Sequence, residues 1–485
     1  MGMPCSSGNV LPSAAVSNSS MSSTIPLIVL LLLAAMAASS SASEPTPAPA
    51  PVRLTVDPAL LRYSIHGIGG NYCFNIESPV TRHTLDHLRP AVARTEMSLR
   101  LWAARDPGGD PESFDYAVYA ASDTPDSRIR RELELMAELQ RRKIPYTIAV
   151  WRMPQWMVDF LPLPPNASPG SRPKARISEA QWPQVLRAIG TYLLYAREKY
   201  GVEPELFTFN EPNIGIDVLL SAEEHRDAIK RLGAMFQRLS LKTRCVLADA
   251  ATARDTHVYA LPTAADPEAL KYIGAIAFHS WTGARPEQYA AWADLAEKLR
   301  LPLHVAEAGV DPHAWRNQDY RTFAYAVREM VHYQELLLHA RPQAIMLWEY
   351  TGDYNLMATD RPIAAGEPVL TERFCFQKHW CELTPPGSQA LATSSDSAEV
   401  LITAFRRGED LTIHISNSGE ARSAVVEGLP PHLTRLGAVR TAEGEFYRHL
   451  HAISPRDGRI ELQLPARSLT SLSTLPLTEA RAMVR

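Results

Sequence analysis

The sequence predicts an α/β chain, a closed parallel (β/α)8 TIM barrel followed by a C-terminal antiparallel β-sandwich, and three observations lead there. Eight short apolar runs recur between Tyr63 and Glu349, each separated from the next by a longer segment. Within several of those segments apolar residues return at intervals of three and four, the spacing of an amphipathic helix. Beyond Pro385 apolar and polar residues alternate between Gly and Pro turns, and no long helical pattern interrupts them.

In order, the expected strands are YSIHGIGGN (63–71), AVARTEMSL (91–99), YTIAVW (146–151), ELFTFNE (205–211), CVLADA (245–250), AIAFH (275–279), LHVAE (303–307) and IMLWE (345–349). Helical stretches between them include DSRIRRELELMAELQRR from Asp126, EAQWPQVLRAIGTYLLYAREKYG from Glu179 and AEEHRDAIKRLGAMFQRL from Ala222. An open doubly wound sheet is the competing architecture. Its phosphate-binding glycine fingerprint is missing, because GIGGN at Gly67 has the wrong spacing and reads as a tight turn. The barrel is expected over residues 63–384 and the β domain over 385–477, with a tail at 478–485. VRLTVDP, within 52–62, reads as a strand that pairs with the β domain.

The first fifty residues differ in kind. IPLIVLLLLAAMAA, from Ile25, is too short to span a bilayer and precedes the small-residue segment SSSAS, so residues 1–43 read as an export signal and 44–51 as a Pro-rich linker. No Lys or Arg precedes Arg53, which leaves Met21 as an alternative start and an uncleaved anchor as the rival reading. A secreted or periplasmic location follows from the signal.

Of the 485 residues 46% are hydrophobic and 21% charged, and a net charge of −4 is spread without long single-sign runs. That balance excludes an evident nucleic-acid surface or anionic-membrane partner, and a monomer is expected. Five cysteines show no CxxC spacing; a Cys375–Cys381 bridge is possible in an exported chain. Asn166 begins an NAS sequon, meaningful only in a eukaryotic host. His449 and His451 lie in HLH without a carboxylate or cysteine cluster at ligand spacing, so neither a metal nor another cofactor is expected.

In a parallel barrel the chemistry sits at the carboxyl ends of the strands. Those ends carry Asn71, Arg94, Trp151, Asn210, Glu211, Asp249, His279, Glu307, Trp348 and Glu349. Glu211 follows the fourth strand and Glu307 the seventh, facing positions across a barrel mouth. Cleaving a glycosidic bond needs two such groups, one acid and one carboxylate, roughly 5 Å apart when the enzyme retains configuration.

FNEP after strand four, FHSW after strand six, AEAG after strand seven and LWEY at strand eight together resemble the clan A retaining glycoside hydrolases. HGIGGNYC at strand one, VWRMPQWM after strand three and the added β domain resemble glycoside hydrolase family 30 more narrowly, over about residues 52–477. The resemblance implies Glu211 as acid/base, Glu307 as nucleophile, Asn210 as partner of a sugar hydroxyl, and Arg94 beside the nucleophile. Arg94 also has a structural reading, as an ion-pair partner of Glu96 or Glu211, and Arg100 competes for its role. His279, Trp151 and Trp348 complete the expected substrate contacts, with Asp249 and Glu349 behind them. One departure stands out: Trp281 occupies the position where the family usually has a tyrosine that hydrogen-bonds the nucleophile. A catalytically silent carbohydrate-binding protein on the same barrel is therefore the alternative to a β-glycoside hydrolase. If the leader is cleaved, N-terminal sequencing of the exported protein should find a first residue between about Ser39 and Pro51; a membrane-bound product that retains LIVLLLLAAM overturns that reading.

Overall fold

The computed structural model describes residues 50–166, 173–216, 218–358 and 368–479. The expected export signal, most of the linker, the end of the tail, and the Ala and Ser of the NAS sequon lie outside them. Strand β1 (Val52–Ser64) comes first, and eight parallel strands then close the barrel: β2 (Gly67–Tyr72), β3 (Ala93–Met97), β4 (Tyr146–Val150), β5 (Leu206–Phe209), β6 (Arg244–Ala250), β7 (Ile273–His279), β8 (Leu303–Ala308) and β9 (Ala344–Leu347). Each strand pairs with its neighbour in sequence, and β9 pairs with β2 to complete the ring. Helices cover the outside and side chains fill the inside. Both faces are thus dry, which is why these strands read as unbroken apolar runs.

GIGGN is strand rather than the expected turn. A Cβ on Gly69 would stand 1.8 Å from the Val92 carbonyl oxygen, so β2 can lie this close to the segment entering β3 only as glycine. Tyr63 and Ser64, placed at the start of the first barrel strand by their pattern, belong to β1.

Helices form where the periodicity expected them. Ser127 Oγ accepts from the Arg130 amide at the start of α1 (Arg128–Arg141). Gly201, at φ 67°, ends α2 (Trp182–Tyr200) in the left-handed conformation. Ser221 and Glu224 cap α3 (Ala222–Arg238) reciprocally, satisfying two amides that the first turn leaves without partners.

The C-terminal strands are β10 (Gln389–Ser395), β11 (Val400–Arg407), β12 (Asp410–Asn417), β13 (Arg422–Glu427), β14 (Leu436–Ala442), β15 (Glu445–Ile453), β16 (Ile460–Leu464) and β17 (Ser468–Ser473). With β1 they make one hydrogen-bonded sheet of nine, ordered β15-β14-β17-β12-β11-β10-β1-β13-β16. β1 runs antiparallel to β10, Leu54 opposite Ser395, and parallel to β13, Val52 opposite Ala424. Hydrogen bonding runs through all nine strands, and one pair, β1 with β13, is parallel where antiparallel pairing was expected. Leu54, Ile413, Leu436 and Leu462 belong to one apolar cluster that draws on both ends and the middle of the sheet.

The other face meets the barrel through α4 (Phe323–Glu335) and α5 (Glu372–Leu383), and Phe405, Val439 and Leu469 join the barrel's own core cluster. Buried polar groups tie the seam. Gln334 donates to the His414 carbonyl at 3.0 Å and accepts from Thr403 at 2.7 Å. His379 lies between the Ser471 and Thr441 hydroxyls at 2.7 and 3.0 Å. Cys375 and Cys381 are buried free thiols on α5. Six residues of helix separate their Cα atoms by about 9 Å, beyond the reach of a disulfide, so the optional bridge is not formed. Among the described residues no helix is long and apolar enough to cross a membrane.

Ending the chain at residue 384 would strip Gln334 and His379 of these partners and bare the apolar seam. Such a truncation should be insoluble, or melt without a cooperative transition in scanning calorimetry; a soluble barrel with a sharp transition would show the seam to be dispensable.

Candidate active site

Each strand end contributes one or two polar side chains to the carboxyl mouth, and the local backbone explains how they turn inward. β5 stops at Phe209, and Glu211 adopts φ 43°, the left-handed conformation that ends a strand. In β6, Ala248 and Asp249 also have positive φ, 76° and 49°, where the register with β7 shifts. This bulge aims Asp249 into the barrel. His225 of α3 supports it by accepting the Ala248 amide at 3.0 Å. Burial holds the His225 pKa down at about 4, so that nitrogen stays free to accept at neutral pH.

Arg94 stands at the centre with no exposed surface. Its guanidinium donates to Glu307 at 2.9 Å, Asp249 at 2.9 Å, Asn210 at 2.6 Å and Asn71 at 3.2 Å. The rival ion pairs with Glu96 and Glu211 do not form, and Arg100 lies elsewhere, with no carboxylate within ion-pair distance among the described residues. His279, equally buried, has Nδ1 2.8 Å from Glu211 and 3.2 Å from Glu307, and Nε2 3.1 Å from Asp249. The Trp281 indole donates to Glu307 at 3.1 Å. The indole thus reaches the carboxylate from the position where a tyrosine was expected.

Protonation follows from these contacts. Burial pushes the His279 pKa down, but Glu307 and Asp249 outweigh it and raise the imidazole well above its usual range. Burial would lift Asp249, yet Arg94 and His279 hold it well below the usual carboxylate range. Glu211 is raised, chiefly by burial and against the His279 hydrogen bond. The site therefore holds an imidazolium between carboxylates and, beside it, a carboxyl group inclined to keep its proton.

Arginine can only donate, so the Asn210 amide oxygen faces Arg94 and its NH2 is left over, buried and without a partner among the described residues. Trp151 and Trp348 stack at 5.0 Å and 29°, with Phe74 edge-on to both at 5.7 and 6.0 Å, forming an aromatic wall. Glu349 lies behind it, fully buried. It accepts from the Asp353 amide at 3.0 Å, and burial raises its pKa well above the usual range. All eight expected site residues converge here. Arg94 and His279, expected among the substrate contacts, hold neighbouring carboxyl and amide groups, and Arg94 Nε has no partner among the described residues.

Glu211, His279 and Glu307 place donor atoms within 4.8 Å of one another. Ligands of a tetrahedral ion at about 2.1 Å would stand about 3.4 Å apart. The 2.8 Å hydrogen bond from His279 to Glu211 is shorter than that, and the Arg94 cation adjoins the same Glu307 carboxylate, so the trio fits a proton better than a metal. A cavity of about 710 Å³ opens at the opposite, amino-terminal end of the strands, lined by Tyr146, Arg244 and His304, away from these carboxylates.

No family model and no curated protein sequence matches the chain. Solved structures do. A family 30 endoxylanase from Clostridium papyrosolvens superposes with a TM-score of 0.68 at 15% identity, covering 87% of this chain and 99% of the other. A family 30 subfamily 8 xylanase from Clostridium acetobutylicum gives 0.67 at 16%, covering 87% and 99%. An endo-β-1,6-glucanase gives 0.60 at 15%, covering 87% and 93%. The chain has the fold of glycoside hydrolase family 30.

Within this family 30 fold, Asp249 and Phe74 carry more of the site than their sequence signals suggested. Asp249 was visible only as one acidic strand end among several, and Phe74 as one more apolar residue. Replacing Asp249 by Asn removes an anion from His279, whose titration, followed by ring 15N shifts, should move down toward 6.5. A raised folded-state pKa gives stability that is complete below the unfolded value and lost as pH rises through the folded one. In Asp249→Asn that loss should be smaller and complete at lower pH, and an unchanged His279 titration would refute the coupling.

Proposed function

We propose that the protein is a retaining β-glycoside hydrolase working through a covalent glycosyl-enzyme. The observation that carries the reading is the closeness of the two glutamates across the mouth, one carboxylate oxygen of each lying within 4.8 Å of the other, which supports the short separation. Retaining enzymes hold their pair about 5–5.5 Å apart, whereas inverting enzymes leave about 6.5–9.5 Å for a water.

Glu307 attacks the anomeric carbon while Glu211 gives its proton to the departing oxygen, so the C–O bond to the leaving group breaks as the ester to Glu307 forms. Glu211, now a carboxylate, takes a proton from water, which attacks the same carbon and releases Glu307. Supporting these roles, Arg94 and Trp281 both donate to Glu307, which orients it for attack, and burial keeps Glu211 inclined to protonation. The unpartnered Asn210 NH2 suits the hydroxyl beside the anomeric carbon, a contact that strengthens as positive charge develops in the ring. The aromatic wall offers apolar faces to a sugar. The substrate class is a β-linked glycan or glycoside, met outside the cytoplasm if residues 1–43 export the chain. The binding-only alternative drew on Trp281, and an indole N–H that reaches Glu307 leaves it without a supporting observation.

Two variants separate the roles. Glu307→Gly should lose turnover of all substrates and regain it with azide, giving an α-glycosyl azide. Glu211→Ala should keep reacting with dinitrophenyl β-glycosides, whose leaving group needs no proton, lose ordinary substrates by roughly 10²–10⁴, and yield a β-azide. Product anomers read by NMR decide the matter: an α product from Glu211→Ala, or normal rates in Glu307→Gly, would refute the assignment.

A further inference from the structure

The cavity of about 710 Å³ at the amino-terminal end of the barrel falls within the roughly 300–1,000 Å³ of small-molecule sites. Four alternate strands reach it, with Gly67 of β2, Thr147 of β4, Arg244 of β6 and His304 of β8. In a barrel of this kind alternate strands ordinarily supply layers of four bulky branched side chains, which plug the axis. Here one member is glycine and the other three are polar, so this end stays open. Val92, Leu206 and Ala344 add apolar walls.

Thr147 and His304 are only 3% and 8% exposed, and neither side chain has a hydrogen-bond or ion-pair partner among the described residues. Buried polar groups are ordinarily hydrogen-bonded, so these two are poised for a ligand that enters the cavity. Burial and the nearby His66 hold the His304 imidazole down at about 4, and at neutral pH one ring nitrogen therefore donates while the other accepts. The Thr147 hydroxyl does both as well. A carboxylate or phosphate can only accept and an ammonium can only donate, whereas a ligand hydroxyl meets either need. Arg244 gives one nitrogen to the Lys271 carbonyl at 3.4 Å and keeps the rest of its fork for other oxygens. The remaining charges nearly cancel: Arg197, Lys242 and Arg244 line the cavity with Glu203 and Glu205, and Arg197 also lies 3.8 Å from Glu198. No ionic ligand is favoured by that balance.

We propose that this cavity is a second saccharide site, which takes a neutral mono- or disaccharide on the face of the barrel opposite the catalytic mouth. That the ligand is neutral and hydroxylated follows from Thr147, His304 and the balanced charges; that it is a sugar rests on the glycosidase reading.

The test is a titration of the full-length protein, its threonine and alanine methyls labelled with 13C, followed by NMR. The probes are glucose, xylose, galactose and their thio-linked β-disaccharides, which resist hydrolysis, with benzoate and inorganic phosphate as ionic counterparts. At least one sugar should shift the Thr147 and Ala344 methyl signals saturably, and the ionic probes should leave them in place. Thr147→Val keeps the shape and removes the hydroxyl; read at Ala344, it should weaken the affinity about tenfold, the worth of one hydrogen bond. Ala344→Leu fills the cavity and, read at Thr147, should abolish binding; Thr147→Val decides alone if the larger side chain prevents folding. Sugars that leave both signals unmoved, ionic probes that move them instead, or an affinity that survives the substitutions overturns the proposal. Because these methyls lie at the end of the barrel away from Glu211 and Glu307, hydrolysis of β-glycosides without the shifts sinks only this inference, and shifts without hydrolysis sink only the catalytic reading.

Discussion

The candidate site is organised by one buried cation. Arg94 spends its guanidinium on acceptors from four other strand ends, Asn71, Asn210, Asp249 and Glu307, so the positions of five of the eight barrel strands are referred to a single group. A charge taken wholly out of water costs several kcal/mol unless it is paired and hydrogen-bonded, and removing one partner of such a network typically costs about 3–5 kcal/mol. Charge is balanced locally: Arg94 and an imidazolium at His279 oppose Asp249 and Glu307, and Glu211, raised by burial, is left as the group that can hold or release a proton. A network closed in this way leaves few spare polar atoms. Those that remain, the Asn210 NH2 above all, mark where a ligand's hydroxyl would fit.

The barrel was legible because its signal is local. A strand buried on both faces is a short apolar run, an amphipathic helix repeats at three and four, and each can be read without knowing what it touches. All eight strands formed within a few residues of their sequence limits. Glu211 and Glu307 were legible for the same reason, as acids at the ends of apolar runs. The remainder depended on contacts between residues far apart in the chain. Nothing near Asp249 announces a bulge, because His225, which secures it, lies on the preceding helix. GIGGN looked like a turn because glycine spacing says nothing about the Val92 carbonyl pressed against Gly69. Arg94 and His279 were recognised as polar strand-end residues, yet sequence could not show that neighbouring carboxyl and amide groups would take up both terminal nitrogens of Arg94 and both ring nitrogens of His279. The parallel pairing of β1 with β13 was equally hidden, since strand alternation carries no direction.

β1 has a further consequence, in the order of assembly. The Arg53 amide bonds Asp396 across 343 positions of sequence, and the strand sits between β10 and β13, inside the sheet rather than at its edge. During synthesis it is among the earliest of the described segments to emerge, and it has no partner until the whole barrel has been made. Loop closure over that distance is slow compared with the neighbour-to-neighbour pairing of β2 to β9. Until β1 docks, β13 and β16 have no link to the rest of the sheet, and β1 itself is an unpaired strand open to the wrong neighbour. The pairing that completes the sheet therefore waits for strands made after the barrel, and the nascent protein in the interval depends on the speed with which that barrel closes.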